Sequence, residues 1–324
     1  MELSVQYYSN DDLNSWEALC SVSLQSTFLH TRKFLSYHKD RFCDRSLVIH
    51  ANGVLVGVLP CAVSLTDSQT LVSHPGATYG GVTLHPKFQT EFVAELMQKI
   101  TDFYFQDGYK NLIYKAVPFF YQRRYRQDDI HALFNLGAKK FRSDLTSLIN
   151  LNQENPISSR RLRGLKKANS NNLSLNEGSE YLSNVWDILK ENLARKYNTQ
   201  PVHSLDEISQ LCQLFPENIR LFSCEKDGSL QAGVIGFETD NVFHCQYITS
   251  TEEGNLSGAL DFLFFHLIDR ARSHNKNWFN FGISTYNEGK SLNNGLYEFK
   301  AGFGAGGVSQ DWFVVNLSEV ASNA

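Results

Sequence analysis

Two segments of the chain repeat the same order of β-hairpin, helix and strand, and this repeat limits the possible folds more than any other feature. The hairpins are centred on Asn52-Gly53 and on Asp227-Gly228. Both dipeptides suit type I′ turns, because their residues tolerate positive φ. The strand that follows each turn carries a glycine, Gly57 in the first copy and Gly233 in the second. A glycine inside a strand indicates a bulge or a close backbone approach.

The repeat continues beyond the hairpins. Apolar residues at helical spacing and then an apolar run predict a helix and a strand, at residues 88–105 and 111–117 in the first copy and at 256–273 and 278–283 in the second. We therefore expect residues 45–117 to superpose on residues 219–283, with the same strand order and a helix on the same sheet face. The alternative is a chance match between two common supersecondary units.

Length and composition favour two globular domains. The 324 residues are 42% hydrophobic and 20% charged, which is ordinary for globular proteins. We place the domains at residues 1–155 and 156–324, with a C-terminal strand that pairs with either one. The repeat predicts an α/β (mixed α+β) fold in which each domain is a mixed sheet flanked by helices. The net charge of −4 argues against DNA as a partner.

The cysteines and the N-terminus predict a cytoplasmic protein. None of the six cysteines forms a Cys-x-x-Cys pair, and no histidine lies at zinc-ligand spacing from them, so we expect reduced thiols and no metal. The N-terminus, Met1-Glu2-Leu3-Ser4, has neither the basic nor the apolar region of a signal peptide. The most apolar helix-like run, residues 258–268, is too short to span a bilayer.

A basic segment separates the two copies. Five cationic residues lie within eight positions, at Arg160, Arg161, Arg163, Lys166 and Lys167. One interpretation is a solvated helix face. The other is a phosphate clamp for a nucleotide, CoA or a lipid-linked substrate.

The strand at residues 242–248 carries two groups suited to proton transfer. Strict alternation places Phe243 and Cys245 on one face and His244, Gln246 and Ile248 on the other. Acylation of an amine needs a base for the ammonium and an acid for the leaving group. His244 fits the role of base and Tyr247 the role of acid. A purely structural histidine is the alternative.

A polar turn follows the strand at residues 278–283. It contains Ser284 and Asn293, and a short helix then ends at Lys300 ahead of a glycine-rich loop. Polar groups at the end of a strand are typical of ligand sites. Asn293 and Lys300 lie two helical turns apart and therefore share a face. Lys300 either neutralises a substrate anion or caps the C-terminus of the helix at the surface.

This C-terminal block resembles the signature of the FemAB-like, or BioF2-like, branch of the GNAT acyltransferases, which reads FGxS…G…LNxGLxxFKxxFG. The family's HxQY element is matched by residues 244–247, and its KxxxxPxH element by residues 196–203. The LFPENIxL element is matched by residues 214–221. In the first copy, Tyr79-Gly80-Gly81 is similar to the family's YGG.

The resemblance implies tandem GNAT-like domains and an N-acyltransferase. It implies transfer of an acyl group, acetyl above all, from acyl-CoA to an amino group of a sugar nucleotide or another cell-envelope precursor. The residues expected to line the pocket are Tyr79, His203, Gln246, Ser284, Asn293 and Lys300. Two alternatives remain, a FemAB-type transferase that uses aminoacyl-tRNA and a binding module without catalysis.

The expected donor site departs from the GNAT pattern. The usual pyrophosphate loop, Arg/Gln-x-x-Gly-x-Gly/Ala, is absent, and residues 253–259 stand in its place. The small residues Ser257, Gly258 and Ala259 precede the predicted helix, so that their backbone N–H groups and the helix dipole are expected to bind the pyrophosphate of CoA. The charges of Glu252 and Glu253 oppose that role.

Overall fold

The computed structural model describes residues 2–88 and 90–323, and the chain divides into two compact units. Unit 1 comprises residues Met1–Asp144 and Gln310–Ala324, and unit 2 comprises residues Leu145–Ser309. The boundary predicted from the sequence lies instead between residues 155 and 156.

The elements follow one another along the chain as follows. Unit 1 contains strands β1 (Leu3–Tyr7), β2 (Leu47–Ala51), β3 (Val54–Leu59), β4 (Ala62–Val63), β5 (Thr70–Val72), β6 (Thr83–Leu84) and β7 (Asn111–Lys115), and helices α1 (Leu13–Val22), α2 (Arg32–Leu35), α3 (Thr90–Gln106) and α4 (Asp128–Asn135). Strand β8 (Lys139–Asn150) leads from unit 1 into unit 2. Unit 2 contains helices α5 (Ser159–Asn169), α6 (Leu182–Tyr197), α7 (Leu205–Leu214), α8 (Glu252–Ser257), α9 (Ala259–Ser273) and α10 (Asn294–Ala301), and strands β9 (Ser174–Glu177), β10 (Ile219–Lys226), β11 (Ser229–Glu238), β12 (Val242–Ser250), β13 (Trp278–Ile283), β14 (Thr285–Tyr286) and β15 (Ser291–Leu292). Strand β16 (Gly306–Asn316) leads back into unit 1, which ends with α11 (Leu317–Asn323).

Each unit is built on mixed or antiparallel sheets, as the predicted fold class requires. In unit 1 one sheet has the order β1-β2-β3-β6, and further strands follow in the order β4-β5-β7-β16. In unit 2 the order is β8-β13-β12-β11-β10-β9. The pairs β5–β7 and β12–β13 are parallel. A helix, α3 or α9, connects the two strands of each parallel pair, as a crossover connection requires.

The two hairpins share their turn and their bulge. The turn residues Asn52 and Asp227 both have φ of 49°. Soon after each turn the register of the hairpin shifts by one residue. Val56 in β3 therefore has no paired residue in β2, and Gln231 in β11 has none in β10. The structural counterpart of Gly57, the residue after the first bulge, is consequently Ala232.

Gly57 and Gly233 therefore lie one residue out of step with each other in the two copies. Each glycine nevertheless marks a close approach, as predicted. A Cβ atom at Gly57 would lie 2.5 Å from Leu84, and one at Gly233 would lie 2.6 Å from Val185.

The repeat extends past the predicted segments to one more helix and strand. Helix α4 and strand β8 follow β7, just as helix α10 and strand β16 follow β13. Each of these final strands pairs with the other copy of the repeat. Strand β16, which follows the second copy, pairs with β7 within unit 1, whereas residues 146–150 of β8, which follows the first copy, pair with β13 within unit 2. The first copy differs in that its second hairpin strand is interrupted after Leu59, at Pro60, and resumes as β4. Proline lacks the N–H that a continuous ladder needs.

The crossover helices cover the sheets through their apolar stripes. In unit 1, α3 buries residues at helical spacing, among them Val93, Leu96 and Ile100. In unit 2, α9 buries Phe264 and Leu267 against Phe243, Phe279 and neighbouring residues of the sheet. Among the described residues, no helix has both the length and the apolar character that a membrane span needs.

Candidate active site

Strands β12 and β13 separate within unit 2, and the predicted catalytic residues lie at this point. The parallel register runs from Val242–Trp278 to His244–Asn280 and ends there, while β12 continues to Ser250 alongside β11. Strand β13 changes direction at Gly282, whose φ is +78°. A Cβ atom at Gly282 would lie 3.5 Å from the imidazole Cε1 of His244. The end of β13 therefore lies directly against this imidazole.

A bulge in β12 sets the direction of the site side chains. The register with β11 passes from Gly236–Cys245 to Ile235–Tyr247 and skips Gln246. The extra residue reverses, for the residues that follow it, which face of the sheet each side chain points to. Ile248 accordingly packs with Phe243 and Cys245 against the unit 2 core, and the prediction that it shares a face with His244 is wrong. Tyr247, instead, points to the same side as His244.

His244 is buried but lies outside the apolar core cluster. It is 9% exposed, and its Nε2 atom lies 3.2 Å from Oε1 of Gln246. With Nε2–H donating to this amide oxygen, Nδ1 carries the lone pair. Burial lowers the pKa of His244 to about 4, because a low-dielectric environment disfavours the imidazolium. The imidazole is therefore neutral at pH 7.

Tyr247 is held by a second predicted site residue, His203. The Tyr247 hydroxyl lies 2.5 Å from His203 Nδ1, and the backbone N–H of His203 donates to the phenol oxygen at 3.3 Å. The next residue, Ser204, caps α7 in a capping box with Glu207, which fixes the loop that carries His203. The indole of Trp186 in α6 meets the phenol ring edge-on, with 5.0 Å between centroids. Burial raises the pKa of Tyr247 to about 12, so that the phenol is protonated at neutral pH.

Ser284 and Asn293 close the turn after β13. The backbone N–H of Asn293 donates to the Ser284 carbonyl at 2.8 Å, and the Asn293 side chain caps α10 by accepting from the N–H of Leu296 at 3.1 Å. Ser284 is 1% exposed. Within the described part of the chain no hydrogen-bond partner of its Oγ is recorded. A buried hydroxyl of this kind costs free energy until a water or a ligand satisfies it.

Lys300 is buried beneath the same turn. Its Nζ atom donates to the carbonyl oxygens of Gly282 at 2.9 Å and Ile283 at 2.7 Å. Burial lowers its pKa to about 7, and Cys245 is close enough to oppose this shift. The alternative of a surface lysine that caps the end of α10 is therefore wrong, because the side chain turns inward to the end of β13.

The residues predicted to bind the donor pyrophosphate are covered by α5. Ser257, Gly258 and Ala259 are all buried, and a Cβ atom at Gly258 would lie 2.9 Å from the carbonyl oxygen of Gly164 in α5. Arg161 of the same helix forms a 2.9 Å ion pair with Asp261 in the first turn of α9. The segment before Gly258 is helix α8 rather than an open loop. This packing counts against an open anion site at the start of α9.

Tyr79 belongs to unit 1, where it is buried in an aromatic cluster. Its hydroxyl lies 2.9 Å from Thr27 Oγ1, and its ring centroid lies 4.4 Å from that of Tyr121. Burial raises the pKa of Tyr79 above its ordinary value. The other predicted site residues lie in unit 2.

Two residues that stand out in the structure are not among the site residues predicted from the sequence. Trp186 contacts Tyr247, and nothing in the pattern of α6 indicates this contact. Lys115, in unit 1, is buried at the end of β7 and donates to the carbonyls of His74 and Ala77, and burial lowers its pKa to about 7. A lysine inside the apolar run of residues 112–120 is a signal that could have been used. No group of three or more potential metal ligands comes together among the residues described.

Comparisons with known proteins agree with this architecture. Residues 158–300 match the family model described as acetyltransferase (GNAT) domain. The crystal structure of FemX superposes with a TM-score of 0.70 at 11% identity, covering 99% of both chains. The structure of L-PGS from Bacillus licheniformis gives 0.61 at 13% identity over 97% of this chain and 94% of that one. A tandem GNAT protein from the clavulanic acid biosynthesis pathway gives 0.54 at 13% identity over 98% and 99%. A sequence search of curated proteins gives no match.

The family match identifies an acetyltransferase (GNAT) domain within residues 158–300 and so supports the predicted N-acyltransferase class. The superpositions on FemX and on the tandem GNAT protein confirm the predicted FemAB-like, tandem GNAT-like fold. The solved structures, at 11–13% identity, establish the fold alone. The family match covers α5 and β12 and ends at Lys300 in α10, so that it includes the candidate active site.

Proposed function

We propose that this N-acyltransferase of GNAT fold transfers an acyl group, most simply acetyl, from acyl-CoA to an amino group of a sugar or another cell-envelope precursor. Unit 2 would carry the chemistry. The observation on which the proposal chiefly depends is the shared direction of His244 and Tyr247, which the bulge at Gln246 produces at the point where β12 and β13 separate.

The chemistry assigns one proton transfer to each of these groups. The neutral imidazole of His244 takes a proton from the acceptor ammonium, and the amine nitrogen attacks the thioester carbonyl. A new C–N bond forms and the C–S bond breaks. The departing thiolate takes the hydroxyl proton of Tyr247, which His203 orients through Nδ1. As the C–S bond breaks, the acylated nitrogen releases its second proton to solvent, which leaves a neutral amide. Solvent also returns a proton to Tyr247 and removes the one from His244.

The acceptor would bind at the turn after β13. Ser284 has a buried hydroxyl suited to a polar group of the substrate. Gln246 lies beside His244 and its amide can donate to a sugar hydroxyl. Lys300 stabilises the end of β13, and a substrate anion beside it would favour its charged form. Asn293, as the cap of α10, fixes the turn.

The strand geometry supports a CoA donor. Beyond His244, the recorded register of β12 is with β11 alone, so that one edge of β12 faces the opening between the strands. An extended, amide-containing chain such as the pantetheine arm can bind such an edge by main-chain hydrogen bonds, as peptides do. This mode of binding does not use the covered residues Ser257, Gly258 and Ala259.

An aminoacyl-tRNA donor is the second candidate. It is favoured by the position of α5, which covers the turn where the pyrophosphate of CoA was expected to bind. The ester of an aminoacyl-tRNA needs no pyrophosphate site. The proton transfers at His244 and Tyr247 would be the same, with an alkoxide in place of the thiolate as leaving group.

A transfer assay separates these functions. The purified protein is incubated with radiolabelled acetyl-CoA and a panel of amino sugars and nucleotide-linked amino sugars, and in parallel with radiolabelled aminoacyl-tRNA. We expect acetylated product and release of free CoA thiol. Product from aminoacyl-tRNA alone would assign the second donor. A folded protein that binds an amino sugar and turns over neither donor would be a binding module, and the proposal would be wrong.

A further inference from the structure

Helix α5 presents a basic face to the solvent. Arg160, Arg163 and Lys167 recur at intervals of three and four residues, so they lie on one side of the helix, and Lys166 borders them. All four are exposed, and among the described residues no ion pair is recorded for any of them. The fifth cation of the segment, Arg161, is turned inward. It pairs with Asp261 at 2.9 Å and lies 4.6 Å from the ring centroid of Phe299.

This charge pattern does not stabilise the helix itself. Arg160 and Arg163 lie near the N-terminus, where the helix dipole favours anions, and the first turn contains no acidic residue. Arg163 also repels Lys166 and Lys167, which lie three and four residues further on. The helix therefore maintains a charge distribution that costs local stability, in a chain whose net charge is −4. Binding of an external anionic surface would offset that cost.

Two apolar side chains accompany the basic face. Leu162 is 50% exposed and Ile157, just before the helix, is 40% exposed. Leu162 lies one turn from Lys166 and so borders the cationic residues. Cations next to exposed aliphatic side chains suit the boundary between lipid headgroups and acyl chains. The phosphates of RNA would also pair with the cations, but RNA has no acyl chains against which Leu162 and Ile157 could pack.

We propose that the exposed face of α5 docks unit 2 on an anionic phospholipid surface. The lipid phosphates would neutralise Arg160, Arg163, Lys166 and Lys167, while Leu162 and Ile157 enter the interface. The buried pair Arg161–Asp261 and the burial of Ala168 hold the helix rigidly on α9 in the orientation that docking requires. This inference does not depend on the proposed acyl transfer.

Vesicle sedimentation tests the proposal without any substrate. The full-length protein is mixed with vesicles of phosphatidylcholine alone and of phosphatidylcholine with phosphatidylglycerol. We expect binding to the anionic vesicles only, weakened by salt. The double variant R160E/R163E should bind them at least about 25-fold more weakly, since each cation near such a surface contributes roughly fivefold. Its melting temperature should stay the same or rise, because a glutamate at position 160 suits the first turn of the helix and one at position 163 removes the repulsion of Lys166 and Lys167.

Two further variants complete the test. The control R124E/K139E changes two exposed cations of unit 1 by the same charge and should bind anionic vesicles like the wild type. L162S should weaken binding several-fold at high salt as well as at low salt. Equal vesicle binding by R160E/R163E and the wild type would overturn the proposal. The proposal would also be overturned if the wild type did not bind vesicles but bound tRNA through the same arginines, a result that would assign the face to RNA.

Discussion

The Nζ atom of Lys300 lies 2.9 Å from the carbonyl oxygen of Gly282, at the residue where β13 turns beside His244. A second hydrogen bond, to Ile283, is 2.7 Å long. The ammonium thus binds the last two carbonyls of the strand, and the strand in turn contacts the imidazole. Lys300 is a positioning residue in this geometry, whatever it also contributes to substrate binding.

Lys300 makes the stability of the fold depend on pH near neutrality. Its pKa falls from 10.5 in the unfolded chain to about 7 in the folded protein. Between these values the unfolded state binds more protons, so the free energy of unfolding rises with pH. The Lys300→Met variant should lose this slope, up to about 1.4 kcal/mol per pH unit. Urea unfolding of both proteins at intervals from pH 7 to pH 8 measures it, and the difference between wild type and variant cancels the contribution of the cysteine thiols, which begin to ionise in the unfolded chain in this range.

Lys115 provides the matched control. It is equally buried, and its pKa also falls to about 7, but it lies in unit 1. Lys115→Met should lose a similar slope and leave the KM for the acceptor unchanged, whereas Lys300→Met should raise that KM. An unaltered pH slope in Lys300→Met would show that Lys300 keeps its ordinary pKa in the folded protein.

His244 should be required for turnover and dispensable for folding. We expect His244→Ala to lower kcat by roughly 10²–10⁴-fold, the usual contribution of general acid–base catalysis, with the melting temperature nearly retained. His274→Ala, at an exposed histidine at the end of α9, is the control and should be fully active. Turnover of His244→Ala at the wild-type rate would remove His244 from the mechanism.

Tyr247 and His203 should act as one unit. Because the phenol and Nδ1 are in contact at 2.5 Å, either substitution disrupts the same proposed proton donor. Tyr247→Phe and His203→Ala should each reduce kcat, and the double variant should lose little more than the worse single one. Multiplicative losses in the double-mutant cycle would instead indicate that the two residues act independently.

The hairpin turns and the repeat could be predicted because their signals are local. Asn52-Gly53 and Asp227-Gly228 specify turns by backbone sterics alone, and both adopt positive φ. The bulge at Gln246 could not be predicted in the same way, since it depends on the register with β11 and not on the residues of β12. Strict alternation therefore assigned His244 correctly and Ile248 incorrectly.

The covering of the predicted donor site by α5 has a tertiary cause. The small residues Ser257, Gly258 and Ala259 suit an anion and a packed helix equally well, because both need close approach to the backbone. The neighbour that occupies this position, Gly164 in α5, is remote in sequence. The ion pair between Arg161 and Asp261 joins the two helices, and sequence spacing does not reveal such pairs.

The packing of α5 on α9 can be measured with two glycine substitutions. Gly258 and Gly53 have similar φ, +86° and +79°, but a Cβ atom at Gly258 would lie 2.9 Å from the Gly164 carbonyl, whereas one at Gly53 would meet nothing within 4 Å. Gly53→Ala should cost about 1 kcal/mol of unfolding free energy, the usual penalty for a left-handed residue with a side chain. Gly258→Ala should cost roughly 1–3 kcal/mol more, in the range known for overpacking. Chemical denaturation of both variants gives the difference directly. Equal costs would mean that α5 leaves α9 in solution, and the turn at Gly258 would again be open to the pyrophosphate of CoA.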